Sequence, residues 1–447
     1  MPDLKKYNQP VPRYTSYPTV PFWERESFTI EGYENTLQSA FWESSREVSI
    51  YIHLPFCESL CTYCACNTRI TKNHQVEGPY VTHLLKEWEL YLQKLPERPF
   101  IREIHLGGGT PTFFAPENLR RLLSGIIEGG SLSREFQMSF EGHPANTTAK
   151  HLETLYQIGF DRVSFGIQDF DLSVQKLINR MQSFEQVKSI TEKAREIGYT
   201  SVNYDVVYGL PGQTIESIKN TLHQIIELKP ERVAYYSYAH VPSMRPAQKS
   251  YEAHLPDEDN KWKYMQLGKQ TFLDSGYEEV GMDHFVLPGD VLLEARRNGE
   301  LHRNFMGYTP FICKLLIGLG VSSISDSWSG FAQNEKNISK YYELLAQGQL
   351  PIIKGHIHTK QDLFFRRHIL NLMCNFETTW HESEFMEYCV ALNYDLLDQL
   401  QEENLITYGE TGIKVLPQGR EVIRVICTAL DAKMYQSNFV PQYSKSV

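Results

Sequence analysis

Three closely spaced cysteines are the residues of this chain best suited to chemistry. Cys57, Cys61 and Cys64 lie in the run CESLCTYC, a C-x3-C-x2-C spacing, and Cys66 follows two residues later. Three thiolates this close can bind three irons of a cubane iron–sulfur cluster, which leaves the fourth iron without a nearby cysteine. An iron with an open coordination position can bind a small molecule and change it. The spacing therefore predicts a 4Fe-4S cluster at which a reaction takes place.

S-adenosylmethionine (SAM) can chelate such an iron through its amino and carboxylate groups. One electron from the cluster would then cleave its sulfonium to methionine and a 5′-deoxyadenosyl radical. A structural zinc site with Cys66 or His53 as fourth ligand is the alternative, but such sites usually pair two C-x2-4-C halves across a longer gap. With 8 cysteines in 447 residues and a polar start, the chain does not resemble a secreted disulfide protein. We therefore expect a reducing compartment, the cytoplasm.

Length and charge exclude several classes of protein. The chain exceeds one average domain, and its 41% hydrophobic residues can bury a large core. No stretch has enough consecutive apolar residues to predict a membrane span. The net charge of −10 disfavours attraction to nucleic acid or an anionic membrane. We expect a monomer without either partner, in which the positive groups that bind an anionic substrate are local.

Apolar runs of strand type alternate with amphipathic segments downstream of the cysteines. Strands are predicted at 48–54, 101–108, 136–142, 162–168, 202–209 and 232–239. Helix predictions include 80–95, 116–130 and 184–198, where apolar residues recur at helical spacing. These βα units predict an α/β fold with a parallel (β/α)6 barrel or partial barrel. In such a barrel the functional groups lie where strands end and loops begin.

Polar residues or glycines stand at several of these predicted strand ends. They are the glycines 107–109 with Thr110, then Glu141, Gln168, Ala239 and His240, while Asp205 lies within the fifth strand. Glycines allow close approach of the backbone to a ligand, although a tight turn would use them equally well. Any one polar loop residue is more often a surface residue than a functional one. The recurrence at successive strand ends is what favours a site.

The two ends of the chain differ from this central pattern. After about residue 355, helices are predicted at 359–374, 380–389, 394–405 and 419–434, with a hairpin over 406–416. This order predicts a mainly helical, winged-helix-like domain over 356–447, and the lack of a basic run disfavours DNA binding. Residues 1–35 are predicted to form an arm, in which 7–24 show no helix or strand period, and 36–355 to form the barrel domain. Four dispersed cysteines are predicted to be small buried hydrophobic residues: Cys313, Cys374, Cys389 and Cys427.

Over nearly its whole length the sequence resembles the oxygen-independent coproporphyrinogen III oxidases, radical SAM enzymes of haem biosynthesis. The motifs that carry the resemblance are PRYTSYPT from residue 12, the cysteine motif within 51–67, GGGTPT from 107, SFGIQDFD from 164, NYDVVYGLPGQT from 203, YAHVP from 238, GMDHF from 281, LHRNFMGYT from 301 and GLGVSSIS from 318. The C-x3-C-x2-C element alone specifies only the radical SAM superfamily. The added Cys66, the arm and the HRNFMGYT run are more specific.

The resemblance implies roles for individual residues. Cys57, Cys61 and Cys64 match the cluster ligands, and Cys66 matches a cysteine that does not ligate the cluster. Two SAM molecules are implied in the barrel. Positions that contact one of them match Tyr51, Gly108, Glu141 and Ile324. Positions that contact the other match Tyr63, Gly109, Thr110, Gln168, Arg180, Asp205 and Ala239. The family often has phenylalanine where this chain has Tyr63.

The resemblance also implies the reaction, an oxidative decarboxylation of the ring A and B propionates of coproporphyrinogen III to the vinyl groups of protoporphyrinogen IX. A flavodoxin or ferredoxin would supply electrons, and the arm would form a lid over the barrel mouth. Because the substrate carries four carboxylates, Arg13, His302 and Arg303 are candidates for binding it, while Phe305 and Tyr308 either line its cavity or pack in the core. A haem-binding chaperone on the same scaffold and a radical SAM enzyme that methylates or opens the porphyrin ring are alternatives, which the arm and the HRNFMGYT run disfavour.

Overall fold

Strands and helices alternate along most of the computed structural model, which describes residues 4–24, 28–435 and 443–446. The strands are β1 (Glu47–Leu54), β2 (Phe56–Cys57), β3 (Arg69–Ile70), β4 (Phe100–Gly108), β5 (Ser131–Gly142), β6 (Arg162–Gln168), β7 (Ser201–Tyr208), β8 (Arg232–Ser237), β9 (Glu278–Gly281), β10 (His284–Val286), β11 (His302–Asn304), β12 (Gly307–Thr309), β13 (Leu316–Leu319), β14 (Ile324–Asp326), β15 (Gly330–Asn334), β16 (Ile352–Ile357), β17 (Glu377–Thr379), β18 (Ile406–Gly409) and β19 (Gly412–Val415).

The helices cover the sheet and build the C-terminal region. They are α1 (Ile30–Glu43), α2 (Glu77–Lys94), α3 (Pro116–Gly129), α4 (Ala149–Ile158), α5 (Leu172–Leu177), α6 (Phe184–Ile197), α7 (Ile215–Leu228), α8 (Glu258–Asp274), α9 (Val291–Arg297), α10 (Ile338–Ala346), α11 (Lys360–Asn375), α12 (Glu382–Tyr388), α13 (Tyr394–Glu402), α14 (Ile423–Thr428) and α15 (Ala432–Tyr435). Among the described residues, no helix is both long and apolar enough to span a membrane.

The twelve strands of the main sheet follow the order β16-β15-β14-β13-β1-β4-β5-β6-β7-β8-β10-β9. From β13 to β8 all neighbours are parallel, and the strands outside this range pair antiparallel. The prediction of a partial α/β barrel is therefore confirmed, with all six predicted strands present. The parallel strand β13 and the antiparallel strands at both edges were not predicted, because most of them have only three to five residues.

Local sequence fixes where the helices after β5, β6 and β7 begin or end. Thr148, Ser183 and Thr214 cap the helices α4, α6 and α7, each with its hydroxyl accepting from a backbone N–H one turn on. Glycines with positive φ, Gly159 and Gly198, end α4 and α6. The buried faces of these helices join the strands in one large hydrophobic cluster. The carboxyl ends of the parallel strands are thereby fixed on one side.

The C-terminal region has its own hydrophobic cluster, built on α11, α13 and α14 and on the three-stranded sheet β17-β19-β18. The predicted hairpin is present as β18 and β19, so helices with a wing-like hairpin are confirmed. The single helix predicted over 419–434 is wrong, because the chain forms a 3-10 turn over Pro417–Val422 and then two short helices, α14 and α15. Of the dispersed cysteines, Cys374 and Cys427 are buried, whereas Cys313 and Cys389 are half-buried.

The arm packs against the C-terminal region. Over 4–24 it has two 3-10 turns and otherwise irregular backbone, whereas the last residues of the predicted arm, from Ile30, belong to α1. Tyr7, Val11, Tyr14 and Tyr17 are buried in the C-terminal hydrophobic cluster. Part of the predicted arm, 1–3 and 25–27, lies outside the described residues, as does part of the predicted C-terminal domain, 436–442 and 447.

Candidate active site

The cysteine motif forms the loop that leaves β1 at the carboxyl end of the sheet. Cys57 closes β2, and its Sγ lies 3.3 Å from the hydroxyl oxygen of Thr110. The loop is tied to the segment after α5, since the backbone N–H of Thr62 donates to Ile178 at 3.0 Å. Cys57, Cys61 and Cys64 are half-buried free thiols that line one cavity of about 650 Å³. Three unpaired thiols on one loop at a cavity wall fit a thiolate-ligated cluster.

Cys66, the fourth cysteine of the motif, is hydrogen-bonded to Cys64. The backbone N–H of Cys66 donates to Cys64 Sγ at 3.4 Å. A hydrogen bond from the Cys66 thiol lowers the pKa of Cys64 to about 6, whereas burial raises the pKa of Cys57 to about 11. Arg245 donates to the Cys66 carbonyl at 3.2 Å and so holds this part of the loop. Arg245 was not identified from sequence, because nothing in its local pattern distinguishes it from a surface arginine.

His53 is not free to act as the fourth zinc ligand. Its Nε2 lies 2.9 Å from the Asn67 carbonyl and must donate there, so its Nδ1 accepts from the Tyr51 hydroxyl at 3.1 Å. Burial lowers the pKa of His53, which keeps the ring neutral. Both ring nitrogens are therefore engaged, and the ring serves to hold Tyr51 and the loop.

The glycines after β4 bring backbone and side chains into close contact. Gly108 has φ +111°, and a Cβ there would lie 2.7 Å from the His53 ring. A Cβ on Gly109 would lie 2.6 Å from the Pro55 carbonyl carbon, and the Gly109 N–H donates to Leu54 at 2.8 Å. A larger residue at Gly108 would displace the His53 ring, and one at Gly109 would displace the backbone at Pro55, where the cysteine loop begins. The structural role of these glycines is therefore to dock this loop on β4.

Two carboxylates from neighbouring parts of the sheet face the same cavity. Glu141, in β5, accepts from the Gly108 N–H at 3.3 Å. Asp205, in β7, accepts from the Ser164 hydroxyl at 3.1 Å. Burial and the nearby charge of Glu141 raise the pKa of Asp205 to about 7. Asp205 is thus poised to gain or lose a proton, or to gain a cationic ligand, near neutral pH.

Arg180 connects the strand ends to the cysteine loop. Its Nε and Nη2 donate to the Gly166 carbonyl at 3.1 and 2.5 Å, and its Nη1 lies 3.6 Å from Cys61 Sγ. Gln168, at the end of β6, has φ +66°, an uncommon backbone conformation for a residue with a side chain. Such strain is often found at functional sites. The Arg180 guanidinium and the Gln168 side chain both line the cavity.

Tyr63 and Ala239 lie together although they are far apart in sequence. The buried Gln248 side chain donates to the Tyr63 carbonyl at 3.4 Å and to the Ala239 carbonyl at 3.2 Å, and accepts from the Val241 N–H at 2.6 Å. Gln248 was not identified from sequence. The hydrogen bonds of Gln248 hold the loop after β8 against the cysteine loop.

Most of the residues matched by resemblance are brought together in the cavity wall. Those lining it are Cys57, Cys61, Cys64, Tyr63, Gly108, Gly109, Thr110, Glu141, Gln168, Arg180, Asp205 and Ala239. Tyr51 and Ile324 are not in the wall. Tyr51 stacks on His105, which does line the cavity, at 6.0 Å between centroids. Ile324 lies beside Gly318, the β13 residue that pairs with Tyr51.

Several lining residues were missed because they lie at the start or in the interior of strands rather than at their carboxyl ends. They alternate with apolar residues and point inward: Glu103 and His105 in β4, Arg162 and Ser164 in β6, Asn203 in β7 and Arg232 in β8. Polar residues at a period of two within apolar strands were the available signal. His143 after β5 was also missed; burial and the charge of Arg180 lower its pKa to about 3.

The candidates for substrate binding take different positions. Arg13 lies outside the wall and pairs with Asp283 at 3.1 Å. His302 and Arg303 are buried behind the wall, and burial lowers the pKa of His302 to about 3. Tyr308 lines the cavity, whereas Phe305 packs against Phe331 at 5.5 Å. The HRNFMGYT run thus contributes both to the core and to the cavity.

Comparison with known proteins agrees with this geometry. The model of the radical SAM superfamily matches residues 51–225. The chain is 36% identical to the oxygen-independent coproporphyrinogen III oxidases of Salmonella typhimurium and Escherichia coli, in each case over 99% of this chain and 97% of that protein. It is 34% identical to the protein of that name from Synechocystis sp., with the same coverage. The solved structure of Escherichia coli coproporphyrinogen III oxidase, described as a radical SAM enzyme, superposes with a TM-score of 0.88 and 34% identity, covering 95% of this chain and 99% of that one.

Proposed function

Because the chain belongs to the oxygen-independent coproporphyrinogen III oxidases of the radical SAM superfamily, we propose that it decarboxylates the ring A and B propionates of coproporphyrinogen III. The products are the two vinyl groups of protoporphyrinogen IX and two molecules of CO2. The observation that carries this proposal is one cavity that joins the three-cysteine loop to a row of polar strand ends. A radical SAM oxidoreductase needs this combination of a cluster site and a shielded space for its substrates.

Cys57, Cys61 and Cys64 would hold a 4Fe-4S cluster, with SAM completing the coordination. When bound, the cluster and SAM would supply the one-electron chemistry that removes a hydrogen atom from the carbon β to each departing carboxylate, after which loss of CO2 and of one electron leaves the vinyl group. Cys66 would not ligate the cluster, and its hydrogen bonds to Cys64 support a role in stabilising that thiolate. The glycines after β4 keep the loop docked on the strand end, so the three thiols stay in fixed positions.

Two groups of residues support the proposal of two SAM sites. Tyr51, Gly108, Glu141 and Ile324 form the group around β1, β4 and β13, and Glu141 offers a carboxylate there. The second group has Arg180, between α5 and α6, to meet a carboxylate and Asp205, in β7, to meet an ammonium or ribose hydroxyls. Tyr63, Gly109, Thr110, Gln168 and Ala239 complete the second group.

The side chains around the substrate position it and keep water away. Burial of the propionate next to the reacting groups places the hydrogen to be removed within reach, which is the main contribution that a protein makes to such chemistry. The arm supports this role, since Arg13 donates to the carbonyl of the cavity-lining Ser237 at 3.3 Å. A one-electron donor protein such as a flavodoxin or ferredoxin would reduce the cluster from outside the cysteine loop, where Leu60 is exposed.

Anaerobic turnover tests the proposal. The protein, reconstituted with iron and sulfide, is incubated with SAM, a reductant and coproporphyrinogen III, and the porphyrins are separated by chromatography. We expect protoporphyrinogen IX from the wild type and none from Cys61→Ala. Cys389→Ala, which changes a half-buried cysteine of the C-terminal region, is the matched control and should keep full turnover. SAM cleavage with unchanged coproporphyrinogen III would refute the proposed substrate.

A further inference from the structure

A depression of about 700 Å³ lies on the outer side of the cysteine loop. It is formed by β2 and β3, by the first residues of α2 and α10 and by the loop after β13. Thr68 and Ile70 line both this outer depression and the active-site cavity, so β3 is a wall between the two that is one strand thick. A molecule seated in the outer depression lies next to the cluster site without entering the cavity.

β3 is hydrogen-bonded to the strand that carries the first cluster cysteine. Ile70 is the register partner of Cys57, and the N–H of Thr71 donates to the Cys57 carbonyl at 2.9 Å. The Ile70 side chain is 40% exposed. Because neighbouring strands are about 4.8 Å apart, a group in contact with β3 lies one strand spacing from the Cys57 backbone. This is a short route for an electron to the cluster site.

Two cations without an ion pair in the part of the chain that the structure describes line the outer depression. They are Arg69 and Lys336, both exposed. Asn67 Nδ2 donates to the Lys336 carbonyl at 3.3 Å and so holds the two segments together. The Glu335 carboxylate accepts from the backbone N–H groups of Lys336 and Asn337, and no acidic side chain of the described residues lines the outer depression. On a chain with net charge −10, this is a local positive area.

The less exposed lining of the outer depression is mainly apolar. It includes Phe56, Val76, Pro79, Val321, Ile338 and Tyr342. An apolar centre within a polar or charged rim is the usual arrangement of a protein interface. The outer depression therefore fits a protein that presents acidic residues around an apolar surface.

We infer that an acidic one-electron carrier protein docks on the outer depression to reduce the cluster. The inference rests on the proposed function, since it assigns the entry point of the electron that this function requires. The carrier is oxidised by one electron, which passes across β3 to the cluster, and no proton or group is transferred. Acidic residues of the carrier meet Arg69 and Lys336, while repulsion from the rest of an acidic surface disfavours other orientations.

Reduction of the reconstituted cluster by two different donors tests this surface. The protein donor is the hydroquinone of a flavodoxin, and the small donor is photoreduced deazariboflavin, which needs no docking surface. Anaerobic loss of visible absorbance reports the reduction. We expect Arg69→Glu with Lys336→Glu to slow reduction by flavodoxin about 10- to 100-fold and to weaken its dependence on ionic strength, with an unchanged rate for deazariboflavin. Arg69→Lys with Lys336→Arg keeps both charges and should keep both rates.

The matched control is Lys188→Glu with Lys219→Glu. It makes the same change of net charge on exposed residues of α6 and α7, outside the outer depression, and should keep both wild-type rates. If the double variant of the depression folds poorly, Lys336→Glu alone should slow reduction by flavodoxin about 3- to 10-fold.

Three results would overturn the docking surface. They are an unchanged flavodoxin rate after charge reversal, an equal loss in the matched control, and an equal loss with deazariboflavin. A change in the sedimentation of the protein alone would assign the outer depression to a second copy of the chain and overturn it as well. Decarboxylation by the charge-reversed variant with deazariboflavin would still uphold the proposed function, whereas a wild-type cluster that is reduced without any decarboxylation would overturn that function and not the docking surface.

Discussion

Arg424 is predicted to hold the arm on the molecule, and its replacement tests this directly. The side chain is 3% exposed. It donates to the carbonyls of Val11 and Pro12 in the arm, the latter at 3.0 Å, and to those of Ser444 and Lys445 near the C-terminus at 3.2 and 2.9 Å. Arg424→Met keeps the apolar stem and removes every one of these hydrogen bonds.

The expected cost can be worked out from the buried groups that lose a partner. The carbonyls of Val11 and Pro12 belong to buried residues, and an unsatisfied buried carbonyl costs about 1–3 kcal/mol. Part of this is offset, because burial and the charge of Arg13 make the guanidinium itself unfavourable and lower the pKa of Arg424 to about 9. A net cost of about 2–4 kcal/mol for arm docking follows, which corresponds to about 30- to 1000-fold more frequent opening.

Hydrogen exchange read by mass spectrometry measures this opening. In Arg424→Met, amides of residues 10–18 should lose protection by that factor, while those of β4 and β6 keep theirs. If the arm is the lid, the variant should also cleave more SAM per CO2 released. Arg367→Met, which changes an exposed arginine paired with Glu384, is the matched control. Unchanged protection of the arm, or an equal loss over the whole chain, would contradict the reasoning.

Three further outcomes follow from individual residues. Buried His302 stays neutral, with its pKa lowered from 6.5 to about 3, so its contribution to stability is fully present above pH 6.5 and falls by about 2 kcal/mol by pH 5. His302→Gln should therefore show a smaller difference than the wild type between the melting temperatures at pH 7.5 and pH 5. An unchanged difference would refute this. Because Asp205 has a pKa of about 7, the wild-type protein should bind SAM more weakly as the pH falls below 7. The Asp205→Asn variant should bind SAM about 10- to 100-fold more weakly at pH 8 and without this pH dependence, as measured by calorimetry. Gly109→Ala should displace the cysteine loop and lower the iron content after reconstitution. Gly78→Ala is the control and should not, because a Cβ at Gly78 has no atom within 4 Å. Equal iron contents in the two variants would contradict the role of the glycines.

Six of the seven parallel strands could be predicted because each is an apolar run with an amphipathic helix before the next strand, whereas β13 is followed directly by β14. β6 begins and ends at the predicted residues. β5 begins at Ser131, before the predicted residue 136, because its first residues are polar and pair with β4 only at Phe100 and Ile101. The edge strands are too short to show a period, and their pairing depends on long-range register.

The candidate site, like the fold, could be predicted only in part from the sequence. The cysteine spacing alone predicted the cluster, polar strand ends predicted Glu141 and Gln168, and a polar residue within the fifth strand predicted Asp205; the structure brings all three into one cavity. No spacing indicates that Ile324 lies near Tyr51, because this depends on how β14 returns along β13. Arg303 was a candidate from its motif, but its burial and its lack of an ion pair among the described residues depend on long-range packing that no spacing shows.

The stoichiometry of decarboxylation is the most direct test of the central claim. Coproporphyrinogen III labelled in its propionate carboxyl carbons is converted anaerobically by the reconstituted protein, and released CO2 and the mass of the porphyrin product are measured together. The account predicts two CO2 per tetrapyrrole and a product that keeps two carboxylates and carries two vinyl groups. A product that keeps all four carboxylates while SAM is consumed would contradict it.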